Sequence, residues 1–148
     1  MRDVRMVEVG HKPVIKRTAR AVGRIKLRKE TVKAIAEGLV EKGDVIAVAK
    51  LAAIHAVKKT WDIVPLCHPI PITGIDVDLR LLEDGVEVEV EVRAYAKTGV
   101  EMEALTGVAA ALLAVWDMVK ALEKDERGQY PYTVIEEIRV IEKVKEST

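Results

Sequence analysis

Three stretches of the chain alternate apolar with charged or polar residues, which is the spacing of a β-strand that buries one face. The first runs from Arg17 to Leu27, and its apolar side carries Ala19, Ala21, Gly23, Ile25 and Leu27. The other two flank "EDG" at residues 83–85, and their apolar positions are Ile75, Val77, Leu79, Leu81, Val86, Val88, Val90 and Val92. Two such stretches around an Asp-Gly step predict a β-hairpin. Near the end of the chain, "YTVIEEIRVIEKVKE" predicts a last strand.

Helical periodicity fills the intervals between these strands. Residues 28–40, "RKETVKAIAEGLV", repeat apolar residues at helical spacing as far as Leu39, and the next residues are "EKGD". There Gly43 predicts a turn and Asp44 predicts the N-cap of a second helix, from about Val45 to Thr60. Three prolines between residues 65 and 71 then exclude regular structure.

A third, long helix is predicted from about Val100 to Lys124. It is apolar almost all round between Leu105 and Trp116, so we expect it to be buried, in part against another subunit. The order strand, helix, helix, hairpin, helix, strand predicts a single α+β domain over residues 1–148. We expect an antiparallel sheet of about four strands with helices packed on one face, and a ferredoxin-like arrangement is our first interpretation.

Charge and composition limit the functions that this fold can serve. Lys plus Arg and Asp plus Glu both number 24 among the 148 residues, so no net positive field attracts nucleic acid. The chain shows neither a secretory signal nor an apolar run of about 18 residues, which predicts a cytoplasmic protein. Asn and Phe are absent while Glu, Lys, Val and Ala are abundant, a bias typical of proteins from hot environments.

A single cysteine, Cys67, lies beside His68 in the proline-rich stretch "WDIVPLCHPIPITG". One cysteine forms no internal disulfide, and without a Cys/His cluster a zinc site has too few ligands. Sequence neighbours rarely point the same way, so the pair is poor evidence for a thiolate–imidazole couple. We expect Cys67 to be a small buried hydrophobe and His68 to line a stiffened loop.

Three acidic residues of interest lie toward the two ends of the long helix: Glu101 and Glu103 near its start and Asp117 in its second half. Residues 98–101, "TGVE", match a capping box, which gives Glu101 a structural role. Glu103 follows two residues later, roughly 200° around the helix, so the two carboxylates should not face one site. Asp117 and Lys120 are three apart and predict an exposed ion pair. Asp117 lies about 21 Å from Glu103, too far for one small ligand.

Several cations are candidates for an anion site. Lys42 in "EKGD" stands at a helix entrance, where free N–H groups and a cation could receive a phosphate, although Asp44 as the cap competes for those donors. The stretch "HKPVIKRTAR" contains more cations, and it either forms a solvated face or binds a polyanion. Its basic residues are His11, Lys12, Lys16, Arg17 and Arg20.

Two long stretches closely resemble the MoaC family, the cyclic pyranopterin monophosphate synthases of molybdenum cofactor biosynthesis. They are "KGDVIAVAKLAAIHAVKKTWDIVPLCHPIPIT" and "KTGVEMEALTGVAAALLAVWDMVKALEK". The resemblance implies a ferredoxin-like subunit in a homohexamer, a trimer of dimers with active sites between subunits. It implies a lyase that converts 3′,8-cyclo-7,8-dihydroguanosine 5′-triphosphate, supplied by a radical S-adenosylmethionine enzyme, to cyclic pyranopterin monophosphate and pyrophosphate.

The resemblance also implies a set of site residues. Asp117 is similar to the catalytic carboxylate, and Lys120 and Lys42 are similar to essential lysines, so that a lysine of lowered pKa and a carboxylate could relay protons. The implied substrate-contacting positions are Leu66, Cys67, His68, Glu101, Met102 and Glu103, with Arg17 and Arg20 as basic residues. No cofactor is expected, although a divalent cation such as magnesium could assist pyrophosphate departure.

At its end the chain departs from the family pattern. The family often has a "KSGGKSG"-like loop with a further functional lysine, whereas this chain reads "RVIEKVKEST". Lys143 or Lys145 could substitute, but neither has glycines around it, and neither is assigned to the site. Two other classes of function fit the residues taken singly. One is a non-catalytic module that binds a nucleotide or pterin and regulates a partner, and the other is a purely structural oligomer.

Overall fold

Four strands and four helices make up the computed structural model, which describes residues 2–147. In chain order they are β1 (Ile15–Lys26), α1 (Lys29–Ala36), α2 (Val45–Lys58), α3 (Thr60–Ile63), β2 (Ile72–Leu82), β3 (Gly85–Ala96), α4 (Glu101–Glu123) and β4 (Val134–Glu146). The strands form one sheet in the order β2-β3-β1-β4, and every neighbouring pair is antiparallel. This is the ferredoxin-like order, and it confirms the prediction of an α+β fold.

The core lies between the sheet and the two long helices. Alternation along β1 and β3 sends alternate side chains toward α4, while α2 packs against β2 and α4, and the apolar positions predicted in β1 and β3 are buried. Gly23 lies on the same face of β1, where an added Cβ would come within 2.8 Å of Val108 and 2.9 Å of Ile138. A side chain at this position would therefore push α4 or β4 away from β1.

Three local predictions are wrong. First, α1 ends at Ala36, and Leu39, which the helical pattern included, lies in the following loop with 69% of its surface exposed. Second, the residues 98–101 form no capping box: α4 has Val100 and not Thr98 as its N-cap, with no side-chain hydrogen bond, and the Glu101 carboxylate pairs with Lys143. Third, helical structure does not stop near Thr60 as predicted, because after α2 ends at Lys58 a separate turn of helix, α3, continues to Ile63.

The hairpin turn also differs from the predicted Asp-Gly turn. The two turn residues are Glu83 and Asp84, and Gly85 pairs with Leu82 as the first residue of β3. A Cβ on Gly85 would overlap the carbonyl oxygen of Ile25 in β1. The glycine is therefore required by the close approach of a neighbouring strand and not by the turn.

The other face of the sheet carries charged side chains that pair across the strands. The ion pairs include Arg20–Glu89 at 2.7 Å, Arg24–Glu136 at 3.0 Å and Arg80–Glu87 at 2.8 Å. Because α2 and α4 both pack on the opposite face, the expectation of helices on one side only is confirmed.

The helix α4 is long and apolar enough to cross a membrane by length and composition. Ten of its residues are buried against the rest of the fold, which is the behaviour of a core helix. It is not buried all round, however, because Leu113 is 61% exposed. Leu51, on the outer side of α2, is also exposed.

Candidate functional site

Lys42 reaches the site from the connection between α1 and α2. Gly43 adopts φ +115°, a conformation that favours glycine, and it turns the chain just before α2 begins. The Asp44 carboxylate accepts a hydrogen bond from the N–H of Ala47 at 3.0 Å, which confirms Asp44 as the N-cap. The Asp44 side chain is thereby engaged with α2, and Lys42 extends toward α4 instead.

Both oxygens of the Asp117 carboxylate are paired with lysines. Lys42 Nζ lies 3.0 Å from Oδ2 and also donates to the backbone oxygen of Asp117 at 3.2 Å. Lys120 Nζ, one helical turn along α4, lies 3.0 Å from Oδ1. The structure thus brings together the three residues that the family resemblance implies for catalysis.

These contacts change the acidity of the groups involved. Hydrogen bonds from Lys120 and Lys42 lower the pKa of Asp117, and the Asp117 carboxylate raises the pKa of Lys120. The expectation of a lysine with a lowered pKa therefore does not hold for Lys120. The neighbouring carboxylate stabilises its charged form, so that Lys120 is a cation and a hydrogen-bond donor.

Two cavities meet at this cluster. One, of about 620 Å³, lies between the connection after α1 and the second half of α4, and its charged lining comprises Glu41, Lys42, Asp117, Lys120 and Lys124. The other, of about 390 Å³, is lined by Leu113, Trp116, Asp117, Lys120, Tyr130 and Ile135. Asp117 and Lys120 form the boundary between them, so a ligand entering either cavity meets both charged groups.

A second cluster forms where α4 begins. Glu103 is only 2% exposed, and Cys67 Sγ lies 3.6 Å from its Oε2 atom. Burial raises the pKa of Glu103. Burial also raises the pKa of the Cys67 thiol to about 11, with further contributions from Glu103 and Glu101. At neutral pH Cys67 is therefore a thiol and not the thiolate that a nucleophile requires.

Glu101 belongs to this same cluster, contrary to the expectation that only one of the two carboxylates could face a site. It is the first residue of α4, and its charge acts on both Cys67 and Glu103. Glu101 Oε1 and Glu103 Oε1 are buried oxygens without a hydrogen-bond partner in the described residues. Unpaired buried oxygens of this kind are unfavourable unless a ligand supplies the donors.

Lys143 is a member of the cluster that the sequence did not assign. Its Nζ lies 3.3 Å from Glu101 Oε2, and its position in β4 is opposite Ala19, whose side chain faces the helices. The alternation of β4 could have revealed this, but two register shifts interrupt the pairing of β4 with β1, and Glu137 has φ +57°. Lys145 makes no comparable ion pair among the described residues.

Three other predicted positions surround this cluster. His68 Nε2 lies 2.7 Å from the backbone oxygen of Val7, so the ring is tied to the segment before β1. Leu66 and Met102 are 47% and 42% exposed. Both can therefore contact a ligand without displacing the core.

The two arginines diverge because they lie on opposite faces of β1. Arg17 is buried and donates from Nε to the backbone oxygen of Ala96 at 3.3 Å, near the start of α4. Arg20 points to the open face and pairs with Glu89. Within one chain, Arg20 therefore joins neither cluster. The two clusters themselves occupy opposite ends of α4, about 21 Å apart.

No group of three or more His, Cys, Asp or Glu side chains suitable for a metal ion occurs between residues 2 and 147. The participation of magnesium stays a prediction.

Comparisons with known proteins agree on one family. Residues 6–146 match the model of the MoaC family. A protein of Pyrococcus furiosus named "Probable cyclic pyranopterin monophosphate synthase" is 66% identical over 98% of this chain and 93% of the relative. A protein of the same name from Thermococcus kodakarensis is 62% identical over 97% and 92%. One from Methanothermobacter thermautotrophicus, named "Probable cyclic pyranopterin monophosphate synthase accessory protein", is 58% identical over 97% and 91%.

Proposed function

The chain belongs to the MoaC family, and from this premise we propose that it is a cyclic pyranopterin monophosphate synthase. Its substrate is 3′,8-cyclo-7,8-dihydroguanosine 5′-triphosphate, and its products are cyclic pyranopterin monophosphate and pyrophosphate. The reaction breaks a phosphorus–oxygen bond without water, which makes the enzyme a lyase of molybdenum cofactor biosynthesis. The observation that carries the proposal is the Lys42–Asp117–Lys120 cluster at the meeting of two cavities.

The cluster suits the phosphate step of this reaction. A sugar hydroxyl attacks the α-phosphorus, a new oxygen–phosphorus bond forms, and the bond to the β-phosphate oxygen breaks with its electron pair leaving on pyrophosphate. Charge grows on the leaving oxygens, and the ammonium groups of Lys42 and Lys120 neutralise it. Asp117 holds both ammonium groups in place before the substrate arrives.

Proton transfer is the second requirement, because the guanine-derived ring must open and reclose. Lys120 is held in its protonated form by Asp117 and serves as the proton donor in this scheme, while the ionised Asp117 carboxylate accepts a proton. In the phosphate step, the hydroxyl proton released by the attack passes to this carboxylate, which becomes the neutral acid.

The second cluster is proposed to contact the organic part of the substrate. The unpartnered oxygens of Glu101 and Glu103 can accept hydrogen bonds from ring N–H groups. Cys67 and His68 form the adjoining wall, with Leu66 and Met102 beside it, and Arg17 supplies a positive charge. In this scheme Lys143 takes the place of the lysine in the family's glycine-rich loop.

The separation of the clusters supports an oligomer with sites between subunits. A homohexamer built as a trimer of dimers would let the second cluster of one chain face the lysines of another, and Arg20 could contribute in the same way. The exposed apolar residues Leu51 and Leu113 support such contacts. The protein is proposed to be soluble and cytoplasmic, and to act after a radical S-adenosylmethionine enzyme that makes its substrate.

Turnover of the cyclic dihydro-GTP substrate under anaerobic conditions tests the proposal. The synthase releases pyrophosphate and yields a product that oxidises to a fluorescent pterin, and magnesium is included in one series and replaced by EDTA in another. The alternative is a non-catalytic module that binds a pterin or nucleotide. The word "accessory" in one relative's name is consistent with this alternative. It predicts that bound ligand is recovered unchanged. A purely structural oligomer predicts no ligand-induced rise in melting temperature.

A further inference from the structure

Glu123, the last residue of α4, is a fully buried carboxylate that connects three parts of the chain. Its Oε2 atom accepts hydrogen bonds from the backbone N–H of Arg28, at 3.1 Å, and from the hydroxyl of Thr31. Its Oε1 atom accepts from the Thr133 hydroxyl at 2.6 Å, just before β4. Burying a carboxylate is unfavourable unless hydrogen bonds replace its hydration, and here three neutral donors do so.

The hydrogen bonds to Oε2 compensate for a missing cap on α1. Arg28 is the N-cap residue of this helix, but its side chain makes no cap hydrogen bond. The Glu123 carboxylate instead meets the N-terminus of α1, where a negative charge is favourable. A helix of eight residues is too short to be stable alone, so its position depends on such contacts.

The position of α1 bears directly on the lysine cluster. α1 leads into the connection that carries Lys42, and α4 carries Asp117 and Lys120. The cavity of about 620 Å³ lies between these two walls. We propose that Glu123 is a positioning residue, which holds Lys42 against Asp117 and Lys120 by docking the start of α1 onto the end of α4. The effect of Glu123 on turnover rests on the proposed function. The effect of Glu123 on the Lys42–Asp117 pair does not depend on that function.

Two matched substitutions separate this role from a general stabilising one. Thr31→Val and Thr133→Val each remove one hydroxyl donor to Glu123 from a buried position, but only Thr31 belongs to α1. The first readout is the titration of the Asp117 carboxyl, followed by ¹³C NMR and assigned with Asp117→Asn. The charged groups that line the cavities around it are Lys42, Lys120, Glu41 and Lys124, with the Tyr130 hydroxyl on the other side. The second readout is kcat and KM.

Thr31→Val should move the Asp117 titration to higher pH and lower kcat about 10- to 100-fold, because Lys42 is displaced from its partner. Thr133→Val should change neither in a folded protein, and Thr31→Ser, which keeps the hydroxyl, should restore both. Equal effects of the two valine variants, or an unchanged Asp117 titration in Thr31→Val, overturn the proposal. If Thr31→Val does not fold by circular dichroism, Glu123→Gln is measured in its place. A wild type without turnover overturns the proposed function alone, since the NMR titration still decides the positioning role.

Discussion

Lys42 and Asp117 are 75 residues apart in the chain, and the lysine Nζ lies 3.0 Å from the carboxylate Oδ2. This contact joins the connection after α1 to the second half of α4. Because Lys120 holds the other oxygen, the carboxylate is ionised at a pH where an isolated one would begin to take up a proton.

The acid side of the pH–rate profile should therefore follow Asp117. Its pKa is lowered in the folded protein, so kcat/KM should persist below the usual range of an aspartate and then fall as the pH falls through the lowered pKa. Lys42→Ala removes one of the two cations that lower this pKa, so the acid limb should shift to higher pH. The same ion pairs add stability that is present above the unfolded-state pKa and is lost as the pH falls through the folded one.

Lys33→Ala, which removes an exposed lysine from α1, is the matched control and should leave the limb in place. If the acid limb is identical in wild type and Lys42→Ala, the group that titrates in the pH–rate profile is not Asp117.

Lys143 and Lys145 offer a second matched pair. Lys143 contacts Glu101, whereas no comparable contact is made by Lys145 in the described residues. Lys143→Ala should raise KM roughly 10- to 100-fold, the effect of losing a hydrogen bond to a charged group, about 1.5–3 kcal/mol. Lys145→Ala should change KM less than about threefold. Equal effects of the two substitutions would remove Lys143 from the proposed site.

Glu103 should make stability depend on pH in the opposite sense from Asp117. Burial raises the pKa of Glu103 in the folded protein. Its contribution to the free energy of unfolding is therefore fully present below the unfolded-state pKa and is lost as the pH rises through the folded-state pKa. In Glu103→Gln this decrease is absent. Urea unfolding at a series of pH values should show the variant gaining stability relative to wild type as the pH rises. Glu126→Gln, an exposed control, should follow the wild type, and a constant difference for Glu103→Gln would contradict the assignment.

Cys67→Ser should leave turnover within about threefold of wild type and reduce stability by about 0.5–1.5 kcal/mol. The thiol has a pKa of about 11, so it should react slowly with iodoacetamide at neutral pH and faster as the pH rises. Complete loss of activity in a folded Cys67→Ser variant would restore the interpretation of Cys67 as a nucleophile.

The strands could be predicted because their apolar residues repeat with a period that few other structures share. Val86 to Val92 alternate with glutamates, and the structure buries each valine. The limits of α1 and α4 were less predictable, since the ends of helices depend on tertiary partners. For α1 the cap is supplied by Glu123 from 95 residues away, which no local pattern indicates.

The site was predicted in part, for similar reasons. The pairing of Asp117 with Lys120 follows from helical spacing alone, whereas the approach of Lys42 requires knowledge of how α1 packs on α4. Lys143 was not assigned because it lacks the glycines that surround the family's lysine, and register shifts in β4 interrupt the alternation that could otherwise have placed it beside Glu101. The sequence alone could have placed Arg17 and Arg20 on opposite faces of the sheet. Side chains alternate between the two faces along a strand, so residues three apart point in opposite directions.

The most direct test of the central claim is a single-turnover reaction followed by ³¹P NMR, with protein in excess over the cyclic dihydro-GTP substrate under anaerobic conditions. Wild type should convert the triphosphate signals into one pyrophosphate and one cyclic phosphate for each substrate molecule. Asp117→Asn should bind the substrate, remain folded and slow this conversion by roughly 10²- to 10⁴-fold. Substrate that stays intact with the wild-type protein, or equal rates in wild type and Asp117→Asn, would contradict the account.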